Sequence, residues 1–152
     1  FDETETFIPA GLGKNGEPDF AREGEGVLRR GKDVCIHVTG PIASVALAAA
    51  DILKENWNIR PKVEEWSVVK PLHTERIQMD SSCYRLVVTL EEHVQAGGFG
   101  EAVWAVLGGR VKMLRLALPD EFAHNLGSRD EALAACGLTA ENIARKVMEA
   151  LR

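Results

Sequence analysis

The run Leu86–Val103, LVVTLEEHVQAGGFGEAV, limits the folds open to this chain more than any other stretch. Leu86, Val87 and Val88 are consecutive β-favouring apolar residues, as in a parallel strand covered on both faces, and Leu90 closes the run. Glu91, Glu92 and His93 are then expected to leave the sheet at its carboxyl end, where open α/β folds place functional groups. Gly97, Gly98 and Gly100 allow a tight turn and a close backbone approach. Glu101 to Leu107 reads as the start of a small helix with an apolar face. Strand, glycine turn and helix in that order are the repeating unit of an α/β domain with right-handed crossovers.

The rest of the chain repeats the unit. Gly26–Arg29 reads as a strand-like edge, and Val34–Val38 as the first full strand. Pro41 suits the first turn of a helix, and Ile42, Val45, Ala49, Ile52 and Leu53 follow at helical spacing on one apolar face. Val63–Val69 predicts another strand, Thr74–Met79 a short helix and Val111–Leu118 the last strand. Asp130–Ala135 is a turn or two of helix ended by Gly137. Thr139 is a good N-cap for a final helix, with Leu138 and Ile143 as a hydrophobic staple and Ile143, Val147 and Leu151 on one face. The expected organisation is a linker or N-terminal arm over 1–23, where GLGKNGEPD is rich in glycine, and one domain over 24–152. Phe1 is not a translation start, so residues are expected to precede it.

Composition narrows the function classes. A chain of 152 residues with 45% hydrophobic residues can bury a real core. The formal net charge is −5 and the Lys and Arg residues are scattered along the sequence, which disfavours nucleic acid as a partner. No run approaches the ~18 apolar residues of a membrane span. FDETETFIPA lacks the basic-then-apolar order of a signal peptide, so the expected location is cytoplasmic. Cys35, Cys83 and Cys136 then read as reduced thiols, with Cys35 and Cys136 leaning towards burial.

Several constellations could carry chemistry. Gly97, Gly98 and Gly100 could cradle an anion at a helix start, although G-G-x-G lacks the G-x-G-x-x-G spacing of a dinucleotide site. Glu91, Glu92 and His93 could supply acid and base groups, or simply sit at a solvated strand end. If these carboxylates pack at a boundary, their partners are backbone N–H groups or an arginine across it. His37, His73, His93 and His124 show no HExxH or paired His–Cys spacing, so no metal site is expected. Trp66 reads as core, Trp57 as exposed or in contact with another chain, and Trp104 as a core or interface anchor.

In order along the chain, GEGVLRRGKDVCIHVTGPI, Val69–Lys70–Pro71–Leu72, Glu91–Glu92–His93 with Gly97–Gly98–Phe99–Gly100, and Leu118–Pro119–Asp120–Glu121–Phe122 form a characteristic series. Gly127–Ser128–Arg129–Asp130–Glu131 and Gly137–Leu138–Thr139–Ala140–Glu141–Asn142–Ile143 complete it. From Gly24 to Arg152 the chain resembles the C-terminal domain of thiamine diphosphate-dependent transketolases, 1-deoxyxylulose-5-phosphate synthases and 2-oxoacid dehydrogenase β subunits.

The resemblance implies a Rossmann-like three-layer α/β/α fold. Its five-stranded, mostly parallel mixed sheet would have one antiparallel edge strand, here Gly26–Arg29. It implies that thiamine diphosphate and magnesium belong to the complete enzyme, and that this chain binds neither and has no catalytic residues of its own. Its partners would be the cofactor-binding domains or subunit of the same enzyme, and a second copy of itself. Glu91, Glu92, His93, Gly97, Gly98, Phe99, Gly100 and Trp104 would form the interface, or alternatively an anion site. The sequence departs from the family pattern at Ser67, where an arginine is usual, and at His73, where an aspartate is frequent. A transketolase-like enzyme is the first expectation and a 2-oxoacid dehydrogenase β subunit the second. A small phosphate- or nucleotide-binding module and a free-standing enzyme are the competing classes.

Overall fold

Alternation along the strands creates the layers. In β2 (Val34–Thr39), Val34, Ile36 and Val38 face one side of the sheet, and Cys35 and His37 face the other. The computed structural model describes residues 25–121 and 127–152. Its remaining elements are β1 (Glu25–Arg29), α1 (Ala43–Trp57), β3 (Pro61–Trp66), α2 (Thr74–Ser82), β4 (Val87–Val94), α3 (Phe99–Leu107), β5 (Met113–Leu118), α4 (Arg129–Ala135) and α5 (Ala140–Leu151). The strands form one five-stranded sheet in the order β1-β3-β2-β4-β5. β1 pairs antiparallel with β3, and the other three pairings are parallel. The expected α/β/α layering with one antiparallel edge strand is what the structure contains.

Two apolar clusters hold the layers together. On one face, Val34, Ile36, Val38, Val88 and Leu90 pack against Ala46, Ala50 and Leu53 of α1, and against Ile143 and Val147 of α5. Small alanines let α1 lie close to the sheet. On the other face, Trp66 and Val87 pack with Ile77 of α2 and with Phe99, Val103 and Leu107 of α3. Thr139 accepts from the Asn142 backbone N–H at 3.3 Å and caps α5, while Leu138 and Ile143 are both buried as the staple requires. The capping box at the start of α4, Ser128 with Glu131, is a second helix signal of the same kind.

Several boundaries and burials differ from the sequence reading. β3 begins at Pro61 and stops at Trp66, leaving Val68 and Val69 exposed beyond the sheet. α2 continues to Ser82. Cys35 is buried, but Cys136 is only half-buried and Cys83 is exposed. Trp104 is not core: 54% of its surface is open to solvent, because it stands on the flank of α3, about 100° round the helix from Val103. Trp57 is also exposed, and Trp66 is fully buried. The arm over 1–23, Phe122 and His124 lie outside the described residues.

Candidate functional site

β4 does not end at Leu90. It continues to Val94, so Glu91, Glu92 and His93 remain in the strand. Pairing with β5 is regular up to Leu90↔Leu116 and resumes at Val94↔Leu118, four steps on β4 against two on β5. The extra residues form a bulge at the carboxyl edge of the sheet, a place where strands commonly re-aim side chains. Strand alternation still governs the first two. Glu91 points to the face covered by α3, and Glu92 to the face of α4.

Glu91 is 2% exposed, and its carboxylate accepts from the backbone N–H groups of Phe99 and Gly100 at 2.7 Å each. Those are first-turn donors of α3, which have no partner within the helix. A carboxylate there is also favoured by the positive end of the helix dipole. The neighbouring Gly97 N–H, in a turn residue at φ +71°, donates to Glu101 at 3.0 Å. The glycines at 98 and 100 have a specific job. A Cβ on Gly98 would stand 2.4 Å from Glu91 Oε2 and 2.7 Å from the Val94 carbonyl, and one on Gly100 would stand 2.6 Å from Thr89 Oγ1. Both approaches are closer than real side chains tolerate, so the glycine cluster is used by the chain's own strand-to-helix packing. Phe99 is buried 6.3 Å from Trp66 between ring centroids and belongs to the core.

Glu92 accepts from two guanidinium nitrogens of Arg129, Nε and Nη2, which ties β4 to the first residue of α4. The same contact raises the already high guanidinium pKa. Each carboxylate expected to need a partner thus has one inside the chain: backbone N–H groups for Glu91 and an arginine for Glu92. His93 is exposed, with Nδ1 2.9 Å from the Val94 carbonyl oxygen. Of the expected site residues, Glu91, Gly98, Phe99 and Gly100 meet at the start of α3, whereas His93 and Trp104 stand apart on the surface.

The α2–α3 face also holds a polar layer that spacing did not reveal. His37 Nδ1 accepts from the Trp66 indole N–H at 2.9 Å, so the ring proton belongs on Nε2, 3.6 Å from Cys35 Sγ. Glu64, the register partner of His37 on β3, is fully buried and pairs with Lys62 and Arg76 at 3.0 Å each. Ligand-type atoms of Cys35, His37 and Glu64 lie within 4.8 Å of one another, the only such triad among the described residues. Its chemistry argues against a cation: two basic side chains already neutralise the carboxylate, and the indole N–H takes one imidazole lone pair. Cys35 and His37 come from β2 and Glu64 from β3, and strand register on their shared face brings them together.

Fold and site define a Rossmann-like three-layer domain whose glycine-rich helix start is sealed by its own carboxylate. The chain belongs to the transketolase C-terminal domain family, whose model, described as "Transketolase, C-terminal domain", matches residues 25–143. It is 36% identical over 151 residues to a 1-deoxy-D-xylulose-5-phosphate synthase of Heliobacterium modesticaldum, covering 97% of this chain and 21% of that protein. It is 38% identical over 129 residues to a putative transketolase C-terminal section of Methanocaldococcus jannaschii, covering 83% of this chain and 39% of that one. A solved structure described as a split gene transketolase, inactive beta4 tetramer, superposes with a TM-score of 0.78 at 31% identity, over 93% of this chain and 47% of that one. The chain therefore spans a fifth to about a half of the relatives it matches.

Proposed function

We propose that this chain is the C-terminal, non-cofactor-binding assembly domain or subunit of a transketolase-like, thiamine diphosphate-dependent enzyme. The observation that carries the proposal is the closed start of α3. The donors that would receive a diphosphate at the glycine turn, the N–H groups of Phe99 and Gly100, hold Glu91 instead. A second carboxylate, Glu101, takes the Gly97 N–H. A diphosphate does not fit a donor set that already carries these carboxylates, so no step of thiamine chemistry is assigned to these residues. Thiamine diphosphate and magnesium belong, on this reading, to the cofactor-binding domains or subunit of the complete enzyme.

The relatives favour 1-deoxyxylulose-5-phosphate synthase or transketolase over a 2-oxoacid dehydrogenase β subunit, since the similar proteins carry the first two names. The assembly role rests on Trp104 together with the exposed rim of the Glu91–Gly100 turn. An exposed tryptophan on the helix that this turn begins suits an interface core, where aromatic residues are enriched. The split transketolase neighbour, described as a β4 tetramer, supports self-association of such a subunit. The setting proposed is cytoplasmic; among the described residues no helix is long and apolar enough to cross a membrane.

Titration calorimetry with thiamine diphosphate and magnesium tests the cofactor part. Heats no larger than dilution are expected. Saturable binding in the micromolar range, about −8 kcal/mol, would overturn it.

A further inference from the structure

Cationic residues that lie scattered in the sequence are gathered by the topology. Arg30 and Lys32 occupy the β1–β2 turn, Arg60 precedes β3, Arg85 precedes β4, and Arg110 and Lys112 precede β5. Because the central strands are parallel, all of these loops meet at the amino-terminal edge of the sheet. Backbone bonds fix the adjacency: the Lys32 N–H donates to the Arg60 carbonyl at 2.9 Å, and the Val87 N–H to the Lys112 carbonyl at 3.0 Å. All six side chains are exposed. Among the described residues, Arg60 pairs with Asp33, and the other five make no ion pair. In a chain of net charge −5, this end is locally positive.

Cations that follow helix C-termini also offset the helix dipoles, so charge alone does not make a site. The independent observation is a cavity of about 320 Å³ between the C-terminal ends of α2 and α3. That volume is at the lower end of the ~300–1,000 Å³ typical of small-molecule pockets. Leu107 and Val111 give it an apolar wall, and Tyr84 adds an aromatic ring. Ser81 spends its hydroxyl proton on the Ile77 carbonyl at 2.5 Å, and Tyr84 on the Gly31 carbonyl at 3.2 Å. The side chains of Gln78 and Arg110, also in the lining, keep their donors available among the described residues. An apolar wall with a guanidinium at its rim and further cations beside it selects an anion joined to an apolar or planar body.

We propose that this edge binds a small phosphorylated molecule, its phosphate at Arg110 and its apolar part against Leu107, Val111 and Tyr84. Arg85 and Lys112 add attraction from the adjoining strand starts. The site stands at the opposite end of the sheet from Glu91 and the glycine turn, with Trp104 one helical turn from its Leu107 wall.

The test uses the 152-residue chain, isotope-labelled and followed by amide chemical shifts, with phenyl phosphate, inorganic phosphate and phenol as probes. Phenyl phosphate is expected to give saturable shifts confined to residues 78–84 and 107–112, with a lower Kd than either of the other probes. Arg110→Gln should weaken it about ten-fold, the loss of one charge-assisted contact. Arg145→Gln, an exposed cation on α5, should leave it unchanged. Equal binding by Arg110→Gln, non-saturating shifts spread over surface lysines and arginines, or phenol binding as tightly as phenyl phosphate would each overturn the proposal.

Discussion

Replacing Glu91 with alanine removes the acceptor of two buried backbone donors at once, those of Phe99 and Gly100. Each buried donor left without an acceptor costs ~1–3 kcal/mol, so the pair amounts to about 4 kcal/mol. The lost carboxylate interaction with the dipole of α3 lies within the same figure. Domains of this size hold ~5–15 kcal/mol in total, so the variant should be folded but marginal. Glu91→Gln keeps one acceptor and turns its amide N–H towards the second donor, so about half the loss is expected, ~2 kcal/mol. Urea unfolding at neutral pH measures both, with the buried Trp66 as a fluorescence reporter. Hydrogen exchange should localise the change: the Phe99 and Gly100 amides speed up in both variants, while those of β2 follow global stability only. A loss below ~1 kcal/mol for Glu91→Ala, with exchange at Phe99 and Gly100 unaltered, would refute the reasoning.

Thr139→Ala removes the N-cap of α5 and should cost about 1 kcal/mol in the same urea assay. Arg129→Gln breaks the half-exposed pair with Glu92 and should cost less than ~1 kcal/mol, read from denaturation midpoints at low and high salt. Burial raises the Glu65 carboxyl above its ordinary value of 4.5, against a smaller opposing effect of its hydrogen bond with Ser67. A raised folded-state pKa means that stability present below the unfolded value is lost as pH climbs through the folded one. Glu65→Gln should therefore be more stable than the wild type at neutral pH and equal to it below about pH 4, by thermal melts across that range.

The fold was legible because burial on both faces leaves a strong mark. β2 and the first half of β4 are unbroken apolar runs, and α5 carries both its cap and its staple in sequence. The end of β4 was legible only in part: backbone N–H groups and an arginine were among the partners expected for Glu91 and Glu92, but not that α3 and α4 fold back to supply them within the chain. The only sequence trace of that closure is a carboxylate eight residues before the helix whose N–H groups it holds. His37 sits too far from Glu64 and Trp66 in sequence for spacing to reveal the cluster, and strand register brings them together. The same holds for the cations at the amino-terminal edge, one or two per loop and gathered only by parallel pairing. Trp104 was ambiguous because apolar residues on both sides of it, Val103 and Val106, blur which face of a short helix is outermost.

Sedimentation velocity of the wild type and of Trp104→Glu, over a hundred-fold range of protein concentration, tests the assembly role most directly. Trp104 is exposed, so the substitution leaves the core intact, unlike any side chain placed at Gly98. The account predicts a concentration-dependent oligomer for the wild type and a monomer for the folded variant. Identical sedimentation of the two folded proteins, whether both are monomers or both oligomers, would contradict it.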